Sequence, residues 1–247
     1  MGNPVVRGGS FVGSIQAQER SADPTPRSPF PGLTDHLSNC LGKRVLRSDE
    51  EVRGDEVTPA RRRMLDAAIE AFAEHGYGGT GTRDIARRAG RSPASVYVHY
   101  PSKEHLLFGA SILGHQEALE VVLDAVSGAG DPVARLRAVA RDFSAWHLAH
   151  RRIARVVHHE LGSLSEEHLA AVLPLRRRLV AEVVGVLRDG VERGDFELAD
   201  PEAVAAAVLS LGIDLVRWYD PDRGRDPEAL ADLNADLALR LAGARDH

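Results

Sequence analysis

The sequence predicts an all-α protein, and three observations predict it. Aromatic residues are only 5% of 247, so Ala, Val and Leu supply most of an apolar share of 43%, and Ala and Leu are strong helix formers. Apolar residues recur at helical spacing between Ser, Thr, Asp or Pro starts and Gly stops. No run combines alternation with β-branched enrichment, so a sheet is not expected.

Residues 1–56 read as an N-terminal extension, in which SADPTPRSPFPG (Ser21 to Gly32) cannot sustain a helix. It is either a disordered tail or an arm that touches a partner; Lys43, Arg44 and Arg47 are too few to decide for the arm. Cys40 is the only cysteine, so no intramolecular disulfide is expected. No apolar run approaches the roughly 18 residues of a membrane span. Gly, Ser and Gln interrupt the N-terminus too often for a signal peptide. A cytoplasmic protein without membrane contact is the expectation.

The first helix starts at Thr58-Pro59, a capping residue followed by a proline that loses no useful N–H. Leu65, Ala68, Ile69 and Phe72 form its apolar stripe and Gly76 stops it. Thr82 is expected to cap the second helix, TRDIARRAG, which buries Ile85, Ala86 and Ala89. Gly90 then makes a turn that a Cβ would hinder. Ser92-Pro93 opens a third, short helix to Tyr100, with Val96 inward. Ser102 caps a fourth from Lys103, with Leu106, Leu107, Ile112 and Leu113 inward. Further helices are expected over Pro132 to His150, Arg151 to Leu161, Ser165 to Gly194 (with Pro174 inside), Asp200 to Tyr219 and Pro227 to Ala242. The expected division is a trihelical module over 57–104 and a helical body over 105–247.

The net charge of −5 is distributed unevenly. Thr58 to Leu107 carries eight basic and five acidic residues, a net of +3, whereas Phe108 to His247 carries a net of −7. A basic module on an acidic body can meet phosphates through one face. Three short helices with a Gly turn before the smallest have the layout of a helix-turn-helix, whose last helix enters the DNA major groove.

The run GYGGTGTRDIARRAGRSPASVYVHYPSKEHLL (Gly76 to Leu107) resembles the DNA-binding domain of the TetR family of bacterial repressors. The carriers are Tyr77, Thr82, I-A-x-x-A-G (Ile85 to Gly90), S-x-x-S-V-Y-x-H-Y (Ser92 to Tyr100) and S-K-E-x-L (Ser102 to Leu106); Gly78-Gly79 is a departure in the turn. The short side chains of Pro93, Ala94 and Ser95, with Arg91 and also Arg83, are candidates to read base edges. Thr82, Ser92, Tyr97, His99 and Tyr100 are candidate phosphate donors. Lys103, one of two lysines in the chain, stands where the resemblance implies a phosphate contact. The resemblance also implies a homodimer on a palindromic double-stranded operator, paired through the last two helices, and a body that binds a small-molecule effector.

The segment WHLAHRRIARVVHHEL (Trp146 to Leu161) is the most unusual outside this module. His159-Glu160 begins like H-E-x-x-H, but Ser163 replaces the second histidine. No ligand spacing supports a metal or cofactor. Ordinary packing and a ligand pocket both remain open. The candidate effector residues are Trp146, His147, His150, His158, Arg176, Leu179, Val183 and Trp218. Arg155 to Leu161, Leu175-Arg176, Gly194 to Phe196 and Arg217 to Pro221 resemble an acyl-CoA-responsive subgroup, the repressors of fatty-acid and steroid breakdown. In such a protein Arg152 and Arg176 to Arg178 meet CoA phosphates; the other reading of Arg176 to Arg178 is a solvated helix face.

A phosphate-loop enzyme is the rival from another class. GYGGTGT lacks the Lys-Ser/Thr ending and follows no strand, and no catalytic triad or carboxylate pair stands out, so no enzyme is expected. The other rivals are a helical interaction module that never touches DNA and a drug-efflux regulator that answers to a hydrophobic compound other than CoA.

Overall fold

The computed structural model describes residues 58–128 and 130–244; the extension, with Cys40 and its three basic residues, lies outside the described residues. Among the described residues nine α-helices follow in order: α1 Pro59–Gly79, α2 Thr82–Arg88, α3 Pro93–His99, α4 Lys103–Ser127, α5 Pro132–Ala149, α6 Arg151–His159, α7 Glu166–Arg193, α8 Pro201–Trp218 and α9 Pro227–Leu241. There is no strand among the described residues.

Local chemistry sets most helix starts. Thr58 Oγ1 accepts the Arg61 N–H at 3.2 Å, and Ser92, Ser102 and Ser165 do the same for α3, α4 and α7. Asp131, Asp200 and Asp226 cap α5, α8 and α9. Each cap satisfies an N–H that the helix itself cannot. Thr82 corrects the sequence expectation. It is the first residue of α2, behind an N-cap at Gly81 with no side chain to offer, and its hydroxyl pairs with Tyr97 Oη at 3.0 Å. The buried Thr80 hydroxyl closes the turn instead, donating toward the carbonyls of Gly76 (2.8 Å) and Ala71 (3.0 Å). Gly76, at φ +71°, breaks the regular path of α1 at the expected place, and one further turn follows it.

The trihelical head rests on Met64, Leu65, Ala68, Ile69, Phe72, Ile85, Ala86 and Val96, all buried. This core runs without a break into the body through Leu106, Leu107 and Ala110 of α4. By length and composition α4 could cross a membrane, against the sequence expectation; 56% of that stretch is buried inside the fold, where α4 packs on α1, α5, α6 and α7. α9 lies along α5, tied by Arg137–Asp236 and Arg141–Asp232 at 2.7 Å each and by a buried bond from Asn234 Nδ2 to Ser144 Oγ at 3.0 Å. α8 packs on α5, α7 and α9. Trp218, Leu233 and Leu241 of this α8–α9 layer are exposed.

Candidate nucleic-acid interface and effector site

Gly90, at φ +64°, turns the chain between α2 and α3 in a conformation that other residues adopt at a cost. α3 is then held by one anchor. Val96 is 1% exposed, while Val98, two positions on, is 80% exposed and Tyr97 50%. Two positions turn a helix by roughly 200°, so the face opposite Val96 points outward. Arg91, Ser92, Pro93 and Ala94 are exposed, and Ser95 and His99 partly so. The Tyr97–Thr82 bond ties α3 to the start of α2. Sequence reasoning missed Val98; its spacing from Val96 was the available signal.

The charges around α3 sort into two groups. Arg62 pairs with Asp66, Arg87 with Asp84, and Arg88 with Asp84 and Glu74. Arg83 and Arg91 make no ion pair among the described residues and are exposed. They flank the outward face of α3 and are the cations ready for phosphate or base oxygens.

Of the expected phosphate donors, Tyr100 faces elsewhere and Lys103 is partly engaged within the head. Tyr100 is buried, its hydroxyl donates to the Arg61 carbonyl at 3.3 Å, and the Arg61 guanidinium lies over its ring. The extended backbone of the α3 C-cap (φ −135°, ψ 106°) turns the ring inward. Lys103 Nζ donates to the carbonyls of Tyr77 (2.8 Å) and Thr80 (2.9 Å) and sits 4.1 Å from the Tyr77 ring. It braces the α1–α2 turn and has one N–H left for an outside acceptor.

Head and body meet through carboxylates. Glu160, just past α6, accepts the Tyr77 N–H at 3.1 Å. Glu104, in the first turn of α4, accepts the Ser165 N–H at 3.0 Å and His168 Nδ1 at 2.7 Å. A cleft of about 70 Å³ between α1 and α6 is lined by Phe72, Ala73, Gly76, Arg155, Val156, His159 and Glu160.

Inside the body the structure brings together His147, His158 and Arg176, and adds His115 of α4. His147 Nε2 lies 3.1 Å from His158 Nε2, and Arg176 Nη1 lies 3.3 Å from His115 Nε2. Leu179 and Val183 follow Arg176 at i+3 and i+7 and are buried. Trp146 is buried beside His147, and half-buried His150 stacks on Trp146 at 5.3 Å. Trp218 corrects the expectation: it ends α8, is 46% exposed and lies under Arg225. His115 could have been found from the inner face that it shares with Ser111, Ala118 and Val122 at helical spacing. Among the described residues no group of three or more metal-ligating side chains is arranged to hold a metal.

Burial strips these imidazoles of water and disfavours their charged form. It pushes His115 and His147 down to about 4, and His158, which also faces His147 and Arg176, to about 2. A folded-state pKa below the unfolded one means that stability is complete above pH 6.5 and is lost as pH falls through the folded value. Glu117, raised to about 7 by burial, acts in the opposite sense, and its contribution is lost as pH rises from 4.5 through 7. Because these three imidazoles outweigh Glu117, thermal unfolding is expected at a markedly lower temperature at pH 4 than at pH 6.5, by several kcal/mol of stability. His158→Phe should flatten that profile on its acid side.

A short helix presented on a trihelical head, with its outward face flanked by arginines that make no ion pair among the described residues, belongs to a helix-turn-helix DNA-binding regulator. The body packs a buried polar cluster of its own behind that head. A family model described as bacterial regulatory proteins of the tetR family matches residues 64–110, and one described as a tetracyclin repressor-like C-terminal domain matches residues 129–242. A solved tetR-family regulatory protein from Rhodococcus RHA1 is 39% identical, with a TM-score of 0.73 over 76% of this chain and 100% of its own. The chain belongs to the TetR family of transcriptional regulators. It is similar to the HTH-type transcriptional repressor KstR2 of Mycobacterium tuberculosis, 28% identical over 67% of this chain and 84% of that one. It is also similar to AibR, solved in complex with isovaleryl coenzyme A and operator DNA: 25% identity, a TM-score of 0.68, 75% of this chain and 100% of that one.

Proposed function

We propose that the chain is a cytoplasmic homodimeric repressor that an acyl-CoA or related lipid-derived molecule releases from a palindromic operator. Residues 57–104 form the reading head and 105–247 the effector-binding and dimerisation body. The observation that carries this reading is the outward face of α3, small at Pro93, Ala94 and Ser95 and flanked by Arg83 and Arg91. Exposed Trp218, Leu233 and Leu241 offer apolar area for pairing α8 and α9 with a second copy. AibR was solved with both a CoA thioester and operator DNA, which supports the effector class.

The signal has two short routes. α6 carries His158 in the buried cluster, and Glu160 just beyond it holds the Tyr77 N–H of the head. α7 carries Arg176, and its first turn is held by Glu104, the neighbour of Lys103. Movement of either helix reaches the turn that Lys103 braces. Titrating CoA thioesters into the protein–operator complex tests the function; release only by unrelated compounds contradicts the effector class. Allosteric coupling is typically about 5- to 150-fold, and Glu160→Ala is expected to reduce it severalfold while the effector-free protein keeps its operator affinity. Unchanged coupling in fluorescence-anisotropy titrations would remove α6 from the route.

A further inference from the structure

Four polar side chains from four helices meet in the body: His115 of α4, His147 of α5, His158 of α6 and Arg176 of α7. Their bonds assign the protons. His115 Nδ1 lies 2.7 Å from the Ser111 carbonyl and His147 Nδ1 lies 2.8 Å from the Phe143 carbonyl. A carbonyl only accepts, so both Nδ1 atoms carry hydrogen, and in the neutral rings both Nε2 atoms accept. Arg176 therefore donates to His115 Nε2, and His158 Nε2–H donates to His147 Nε2.

The cluster then holds one full charge, on Arg176, and nothing negative. Arg176 makes no ion pair among the described residues, and burial acts on its charge with no carboxylate to offset it. Ser111 Oγ is buried without a hydrogen-bond partner. The walls are apolar: the Phe143 ring is 4.3 Å from the His147 ring, and Ile153 and Val157 crowd Gly114 beside His115. A half-buried guanidinium whose partner is a neutral ring, among apolar walls, lacks the bidentate anion that suits it best.

We infer that this cluster seats the carboxylate of an apolar acyl molecule, either a free acid or a CoA thioester whose acyl chain ends in a carboxylate; the inference rests on the reading that the body holds the effector. The carboxylate takes the place of His115 Nε2 on Arg176. A thioester carbonyl would leave the charge of Arg176 uncompensated, and a phosphate dianion needs more donors than one guanidinium and neutral rings supply. An anion at this point also counters part of what holds His158 neutral, which is burial first and its positive and polar neighbours second. That ring is faced by His147, Arg176, His115 and His159, none of them acidic, so binding takes up a proton.

The test is calorimetric titration of the full chain with two pairs of probes: glutaryl-CoA against valeryl-CoA, and octanoate against octanol. In one pair the carboxylate member should bind at least about tenfold more tightly, and the pair that responds identifies the source. That preference should disappear in Arg176→Gln, persist in part in Arg176→Lys and be unchanged in Arg188→Gln, whose side chain is exposed on the same helix. The affinity of the preferred probe should rise from pH 8 to pH 6. Equal binding within both pairs, or an Arg176→Gln loss that falls equally on both members, overturns the inference and leaves the effector reading standing. If none of the four binds while the operator is still bound, both fail.

Discussion

Raising salt from 50 to 200 mM should weaken operator binding by roughly 10³-fold. The estimate counts three cations beside α3 and at the start of α4, and leaves aside the exposed Arg63 of α1. Arg83 and Arg91 are exposed and unpaired among the described residues, and Lys103 keeps one N–H free of its two carbonyl partners. Three cations on each of two heads neutralise about six phosphates, for a slope of log K against log salt of about −5. The arginines already paired with Asp66, Asp84 and Glu74 are left out of that count. Arg83→Ala and Arg91→Ala should each make the slope shallower by about 2 in the dimer. A slope near zero in filter binding would leave only a protein-binding module, whatever the shape of the head.

Phe72→Ala should cost about 3–5 kcal/mol and lower the melting temperature by on the order of 10 °C. Phe72 is 2% exposed and meets the Tyr77 ring at 5.5 Å. It lines the cleft beside Arg155, Val156 and Glu160. Its removal therefore opens a cavity where the head joins the body. The core is continuous across that joint through Leu106 and Leu107, so head and body should melt together in one transition. Circular dichroism through a thermal ramp checks both the shift and its single step. A loss under about 1 kcal/mol would mean that the joint collapses around the gap.

The helix plan was legible because helix starts are local. A hydroxyl or carboxylate three residues before an N–H needs no knowledge of the rest of the chain, and Ser92, Ser102, Ser165 and Asp200 all cap as the sequence implies. Thr80 and Thr82 show where that locality ends. They stand two residues apart, and only the position of Tyr97 on α3 decides which hydroxyl leaves the backbone. The motif places Tyr100 and Lys103 after the reading helix, which implies an outward direction for both. Tertiary partners on α1 and in the α1–α2 turn claim the Tyr100 hydroxyl and two of the three Lys103 N–H groups. The buried polar cluster of the body was legible only as a histidine-rich segment. His147 and His158 share that segment, but His115 and Arg176 arrive from α4 and α7, and no spacing within one helix foretells a meeting of four. The neighbours of Trp218 in sequence point it toward the body, and the end of α8 places it at the surface instead.

The most direct test of the reading helix uses its most exposed apolar side chain. Val98→Glu sets a carboxylate on the face of α3 opposite its buried anchor, where nothing in the fold is disturbed. If that face enters the groove, the melting temperature stays within about 2 °C and operator affinity falls at least about 100-fold through repulsion from phosphate. Wild-type affinity in the same anisotropy titration would show that Pro93–His99 does not approach DNA.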